Sequence, residues 1–327
     1  MSSHDPANAG QGRTSILNVG TRILLKDVMD QYFRTLGEFA THYASNMSTA
    51  LRAFQENQIH IVIAEVDLVD GSVFRLVKEL GGPSDADDEL YFIVALEQKS
   101  PALEALAQEL EVDAVLYKPF AAADLKAAVD KYLAWKAMPK DPWRLLVAEA
   151  RFAVRERRYR DAEMNFQEAA GAAPTNPAPL VKAAQYYAGK PDPAMTEQML
   201  KRALALNPNH VTALSMLGTL YVSQHNLDHG EALLTKAQQL SPLNPDRSLE
   251  LVRLYLERSI DACKSAARID ASNTASKLLL GKLLAIQKDY VGAVRELERI
   301  LPGLRDVPRN EAQTFAALAR KLGGIAK

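Results

Sequence analysis

The sequence predicts an α/β doubly wound sheet of five parallel strands, followed by an all-α solenoid of helix pairs. Two observations carry this. From residue 15 to residue 137, short apolar runs alternate with amphipathic stretches of helical length. Beyond residue 143, a large residue, a small residue and a proline recur together every 34 residues, as in Pro174, Pro208 and Pro242. Pro139 and Pro142 stand between the two regimes and restrict the junction.

In the first regime, residues 16–19, 38–43, 59–64, 91–96 and 114–117 read as strands. Residues 22–35, 47–56, 71–80, 101–109 and 121–135 read as helices. Five such βα units in succession argue a parallel sheet with helices on both faces. Any site then lies at the carboxyl ends of the strands.

In the second regime, each proline is preceded five residues earlier by Ala169, Ala203 or Ala237. Three residues before those stand Phe166, Leu200 and Leu234. The small residue permits close helix approach, the large one fills the seam, and the proline stops the helix. This pattern resembles the tetratricopeptide repeat. Residues 211–244 match it best, with Leu214, Leu217, Gly218, Tyr221, Gly230, Leu234, Ala237 and Pro242 at the signature places. Residues 143–176, 177–210 and 273–306 are further copies. Residues 245–272 read as a shortened helix pair lacking about five residues around Ser259. A last amphipathic helix over 310–325 resembles the cap such arrays need at an open end.

The resemblance implies a concave groove lined by the first helix of each pair, suited to a protein or peptide partner. Arg151, Arg155, Lys182, Gln185, Thr219, Arg253 and Lys282 fall at inward-facing positions of that geometry. The five cations make the groove mildly basic, matched to an acidic or C-terminal peptide; as an alternative, they are solvated helix-face charges. The Asn and Lys pattern with which some relatives clamp a chaperone's terminal carboxylate is absent.

The fifth strand ends in Leu116-Tyr117-Lys118-Pro119-Phe120, which resembles the Lys-Pro-Phe signature of response-regulator receiver domains. His60-Ile61-Val62-Ile63-Ala64-Glu65, followed by Asp70-Gly71, resembles the third strand, phosphoacceptor and next loop of that family. The resemblance implies a flavodoxin-like strand order. It also implies a site made of an aspartate nucleophile, an acidic pair holding Mg²⁺, a hydroxyl and a lysine. This chain departs from that set. Glu65 stands at the nucleophile, Gly20-Thr21 at the acidic pair, Ala95 or Leu96 at the hydroxyl, and Val115 at the aromatic switch. Lys118 alone remains, so the segment reads as a degenerate, pseudo-receiver domain.

Two readings of Glu65 stay open. Its longer side chain reaches Lys118 and mimics a phosphorylated state, or the site has decayed and Glu65 is a solvated or salt-bridged carboxylate. Asp67 and Asp70 are the remaining nearby acceptors, and without a metal pair neither is expected to take a phosphoryl group. A phosphorylation-dependent regulator with the repeats as output is the competing class.

Composition excludes other classes. The 327 residues are 48% hydrophobic with one cysteine, Cys263, so no internal disulfide forms. No apolar run reaches the length of a membrane span, and the polar start over 1–13 is read as a disordered tail, not a secretory signal. Residues 1–140 carry a net charge of −7 and the remainder +6, too weakly basic for nucleic acid. His225 and His229 sit where a repeat turn belongs and have no third ligand nearby. No cofactor motif and no nucleophile–base pair occurs, so no catalysis is expected. The expected organisation is a tail over 1–13, a degenerate receiver over 14–137, a linker over 138–142 and about five repeats with a cap over 143–327. Trp135 and Trp143 are expected to pack where the two parts meet. The expected molecule is a cytoplasmic signalling adaptor that binds a protein in the repeats and docks a second partner, or a copy of itself, through the receiver.

Overall fold

The computed structural model describes residues 14–20, 29, 32–33, 39–80, 90–190 and 193–325. The tail over 1–13 lies outside them. So does the helix expected over 22–35, apart from Met29, Tyr32 and Phe33, which are helical. Among the described residues the strands are β1 (Thr14–Val19), β2 (Phe39–Ala44), β3 (Ile61–Glu65), β4 (Asp67–Leu68), β5 (Gly71–Ser72), β6 (Tyr91–Leu96) and β7 (Ala114–Tyr117). Five of them form one parallel sheet in the order β2-β1-β3-β6-β7. This is the flavodoxin-like order, with its switch point between β1 and β3. The helices α1 (Met47–Glu56), α2 (Val73–Glu79), α3 (Pro101–Glu109) and α4 (Ala122–Ala137) flank it.

Every residue of β3 and β6 is buried, which is why both read as unbroken apolar runs. Leu17, Val62, Val94 and Leu96 pack on one face with Leu76 and Leu106. Ile16, Ile61, Ile63 and Ile93 pack on the other with Leu125, Val129 and Tyr132. The two-residue period of a strand makes this division automatic. Trp135 joins the second face, its ring 5.8 Å from that of Tyr91 and 6.0 Å from that of Tyr132. Trp143 is buried, with the Arg144 guanidinium over its ring.

The helical part contains α5 (Pro142–Arg155), α6 (Tyr159–Ala172), α7 (Ala178–Ala188), α8 (Pro193–Leu206), α9 (Val211–Ser223) and α10 (Leu227–Leu240). It continues with α11 (Pro245–Ile269), α12 (Thr274–Ile286), α13 (Tyr290–Ile300) and α14 (Asp306–Gly323). Helices α6, α8 and α10 end two residues before the periodic prolines, as a helix stop requires. Within three pairs the turn uses a left-handed residue: Arg157, His225 and Lys288, with φ of 59°, 59° and 70°. The next amide then closes on a carbonyl five residues back, Arg158 to Ala153, Asn226 to Tyr221 and Asp289 to Leu284. That closure satisfies carbonyls the helix end would leave bare. His225 is thus a turn residue, and His229 caps back to Asn226 Oδ1 at 2.8 Å.

The chain forms two compact units, residues 1–214 with 239–244, and residues 215–238 with 245–327. The expected linker over 138–142 lies inside the first, where the sheet part passes into α5. In the first unit, the signature residues Ala162, Phe166, Ala169, Leu200 and Ala203 are buried in the helix seams. In the second, Gly218 lies against Leu234 and Gly281 against Leu297, at distances a side chain would close.

The fourth pair departs from the expected shortened hairpin. Helix α11 runs unbroken for 25 residues through Ser259, whose hydroxyl donates to the Tyr255 carbonyl at 2.7 Å. The missing residues are those that would make the turn, and no residue in α11 takes the left-handed conformation. With nothing to stop it, the helix propagates, since each further residue adds a bond after nucleation.

A Cβ on Gly281 would lie 2.5 Å from Leu297 Cγ, inside a buried seam. Gly281→Ala is therefore expected to destabilise the protein by about 1–3 kcal/mol, despite the better helix propensity of alanine. The urea midpoint, compared with that of the exposed control Gly171→Ala, checks it.

Candidate functional site

The carboxyl edge of the sheet holds the candidate site. Glu65 ends β3 opposite Ala95 of β6, and Lys118 follows β7 with its amide bonded to the Leu96 carbonyl. Parallel pairing of β3, β6 and β7 therefore brings together two residues far apart in sequence. Lys118 Nζ donates to Glu65 Oε1 at 2.5 Å and to Glu97 Oε1 at 3.1 Å. The Glu65 and Lys118 side chains are 6% and 10% exposed, so water barely competes for this pair. Removing one partner of such a pair costs on the order of 3–5 kcal/mol, largely by leaving a buried charge.

Gly20, just after β1, is part of the same construction. A Cβ built there would stand 2.6 Å from Glu65 Oε2 and 2.7 Å from its carboxyl carbon. The longer glutamate fits because the residue beneath it has no side chain. Sequence reading registers a lost acidic pair at this position. The geometry assigns the glycine a steric role beside Glu65 that spacing alone does not reveal.

Asp70 has a different occupation. Its carboxylate accepts from the Met47 amide at 2.6 Å, from the Ser48 amide at 2.9 Å and from Ser48 Oγ at 2.6 Å. Together with Asn46, which accepts from the Thr49 amide, it satisfies the start of α1. The Ser48 hydroxyl and these amides hold its pKa down to about 2. The β4–β5 hairpin, too short to leave a pattern in the sequence, carries Asp70 into that position. Asp67 lies in β4, and its side chain is outside the described residues. At the other positions of the implied set, Ala95 and Leu96 are buried, and Val115 pairs with Val94. Tyr117 donates to Glu104, which drives its pKa to about 12.

Helix α3 ends in a polar contact with the helical part of the first unit. Glu109 accepts from Ser241 Oγ and from Asn244 Nδ2, both at 2.7 Å. Glu111 accepts from Lys182 Nζ at 3.0 Å. Lys182, Ser241 and Asn244 are all buried. His210 lies in the field of Glu111 and Lys182, its Nδ1 accepting from the Ala213 amide at 3.4 Å. Burial lowers its pKa below the usual 6.5. Lys182 is thus a receptor for a carboxylate of the same unit. Glu109, Glu111, His210, Ser241 and Asn244 carried no signal in the sequence beyond Ser241 and Asn244 flanking Pro242.

The remaining groove residues are distributed as follows. In the first unit Arg151 is half-buried, and Arg155 and Gln185 are exposed. In the second unit Thr219 is half-buried, and Arg253 is exposed and bonded to Glu250 at 2.5 Å. Lys282 donates to Glu311 and lies over the Phe315 ring. Lys182, Arg253 and Lys282 therefore each have a carboxylate already in place. Among the described residues, no three His, Cys, Asp or Glu are grouped to hold a metal, and no helix is long and apolar enough to cross a membrane.

The sequence matches no protein-family model and no curated protein. Among solved structures, it is similar to the chemotaxis response regulator CheY4 of Vibrio cholerae, at 17% identity over 36% of this chain and 98% of that one, with a TM-score of 0.34. It is similar to the signal receiver domain of an HD domain-containing protein from Pseudomonas fluorescens Pf-5, at 20% identity over 40% of this chain and 93% of that one, with a TM-score of 0.35. It is also similar to the first tetratricopeptide-repeat domain of Spaghetti bound to an HSP90 peptide. That match has 20% identity over 36% of this chain and 94% of the other, with a TM-score of 0.33.

Gly20→Ala is expected to push the Glu65 carboxylate off Lys118 and to cost about 1–3 kcal/mol. In a Glu65→Ala background, which removes Cγ and the carboxylate that meet the new methyl, the same substitution should cost less than half as much. A double-mutant cycle in urea measures that coupling, and additive effects contradict it. The lowered His210 pKa means that the unfolded chain takes up the proton first. Its contribution is intact above about pH 6.5 and is lost as pH falls through the lowered value. His210→Asn, which keeps a cap acceptor, should lose less stability between pH 7.5 and pH 5.5 than the unsubstituted protein.

Proposed function

We propose that this protein is a non-catalytic adaptor in bacterial signalling. A receiver-like module over 14–137 serves as a fixed docking surface, and residues 138–142 join it to a repeat region over 143–327 that binds a protein or peptide. One observation carries the reading: the phosphoacceptor position holds Glu65, already ion-paired with Lys118 at 2.5 Å over a glycine that leaves room for it. A carboxylate bound to that lysine supplies the charge that a phosphoryl group would otherwise bring, without metal or turnover. Burial of Glu65 speaks against a solvated, decayed carboxylate and supports the mimicry reading, while the ion pair itself is common to mimicry and to a salt-bridged remnant.

The partner in this reading is acidic. At Arg253 and Lys282, in the second unit, an incoming carboxylate exchanges with Glu250 and Glu311, which offsets part of its desolvation. Thr219, on α9, is a further contact of that unit in this reading, and Arg151, Arg155 and Gln185, on α5 and α7, belong to the first unit. Lys182 is withdrawn from the groove by Glu111. A cytoplasmic location and a receiver-like module that docks a second partner, or a copy of the chain, complete the proposal.

Incubation with acetyl phosphate and Mg²⁺, read by intact mass, tests it. The expected result is no stable gain. A gain of one phosphoryl group, on Asp70 or Asp67, would replace the adaptor with a phosphorylation-dependent regulator.

A further inference from the structure

Helix α11 presents a face that its own unit does not cover. Val252, Tyr255 and Ile269 are 61%, 48% and 89% exposed and fall along one stripe of the helix, which makes them a patch and not scattered residues. Ser259 and Ala262 are exposed between them, and Ala266 is half-buried. The spacings along Val252, Tyr255, Ser259, Ala262, Ala266 and Ile269 alternate between three and four residues. That is the spacing of a seam made for another helix.

The contacts α11 makes within its unit use other faces. Arg247 donates to the Ala237 carbonyl at 2.7 Å, and Leu254 packs with Val222 and Leu234. Further along, Ile260 and Cys263 pack with Leu280 and Leu284. No charged residue lies on the seam: Arg253, Asp261, Lys264 and Arg268 fall on the opposite side of the helix, and Arg258, which flanks it, is paired with Asp228 and Glu231. Its hydroxyl at Ser259 is already bonded to the Tyr255 carbonyl, so burying it leaves no partner unmade.

The order of side chains along the seam identifies its occupant. Run antiparallel about a two-fold axis between Ser259 and Ala262, the stripe meets itself in register. Val252 then faces Ile269, Tyr255 faces Ala266, and Ser259 faces Ala262. Large meets small next to the crossing, small meets small at the crossing, and apolar meets apolar at both ends. Such a self-complementary arrangement is what an isologous contact requires, and small residues at the crossing allow close approach. The spacing reverses onto itself in any such stripe; the pairing of large with small and of apolar ends across the axis is particular to this one, and it points to a second copy. We propose that α11 is a homodimerisation helix, pairing antiparallel with α11 of a second copy through residues 252–269. The lost turn at Ser259 is what makes this surface. It turns the place of a helix pair into one long helix with a bare face.

Sedimentation of the full chain over a concentration series tests this. The mass is expected to double as concentration rises. Val252→Lys and Ile269→Glu should each raise the midpoint of association roughly tenfold or more by placing a charge against an apolar partner. Combined in one chain, the two substitutions face each other across the seam and should restore most of the loss. On a single helix they are too far apart to pair, so recovery reports the antiparallel contact and not folding. A protein that stays monomeric throughout overturns the proposal. So does a dimer insensitive to either substitution, or a double variant no tighter than the singles. Unchanged far-ultraviolet circular dichroism, taken at a dilution where every variant is monomeric, confirms that each is folded.

Discussion

The ion pair between Glu65 and Lys118 sets what the carboxyl edge of the sheet can do. Two strand ends on either side of β6, aligned by parallel pairing, hold opposite charges at hydrogen-bond distance in a place nearly closed to water. In such surroundings a charge without its partner is costly, so the pair is either kept whole or the edge rearranges. Gly20 makes the pair possible by leaving the space that the second carboxylate oxygen fills. Asp70, the acidic residue of the following loop, is committed to the start of α1. Each neighbouring group thus has a structural task compatible with a closed site.

A second set of carboxylates ties the sheet to the helices within the first unit. Glu109 and Glu111 end α3 and enter buried donors on Ser241, Asn244 and Lys182. A fixed edge at Glu65 and a fixed helix end at Glu109 reinforce one another. Movement of α3 would expose several buried polar groups at once. The proposed adaptor role requires such a fixed arrangement.

Much of this was legible in the sequence, and the exceptions have identifiable causes. Strands β3 and β6 could be read because burial on both faces leaves continuous apolar runs. Helices α1 and α3 could be read from their amphipathic stretches, and the structure adds the caps Asn46 and Ser100 at their starts. The β4–β5 hairpin could not, since two-residue strands have no period. The five residues missing near Ser259 were visible, but their consequence depended on a turn residue that is absent, so the expected hairpin became one helix. Lys182 was assigned to the correct helix and the wrong neighbour. Periodicity tells which way a side chain faces, while Glu111, 71 residues away, decides what it meets. Glu109 is 132 and 135 residues from its partners and left no local trace.

The central claim is that the receiver-like part is held in one state. Amide hydrogen exchange across α3 and residues 241–244, with and without acetyl phosphate and Mg²⁺, tests it most directly. The account predicts the same protection in both conditions. Faster exchange at α3 when the phosphoryl donor and metal are added would contradict it.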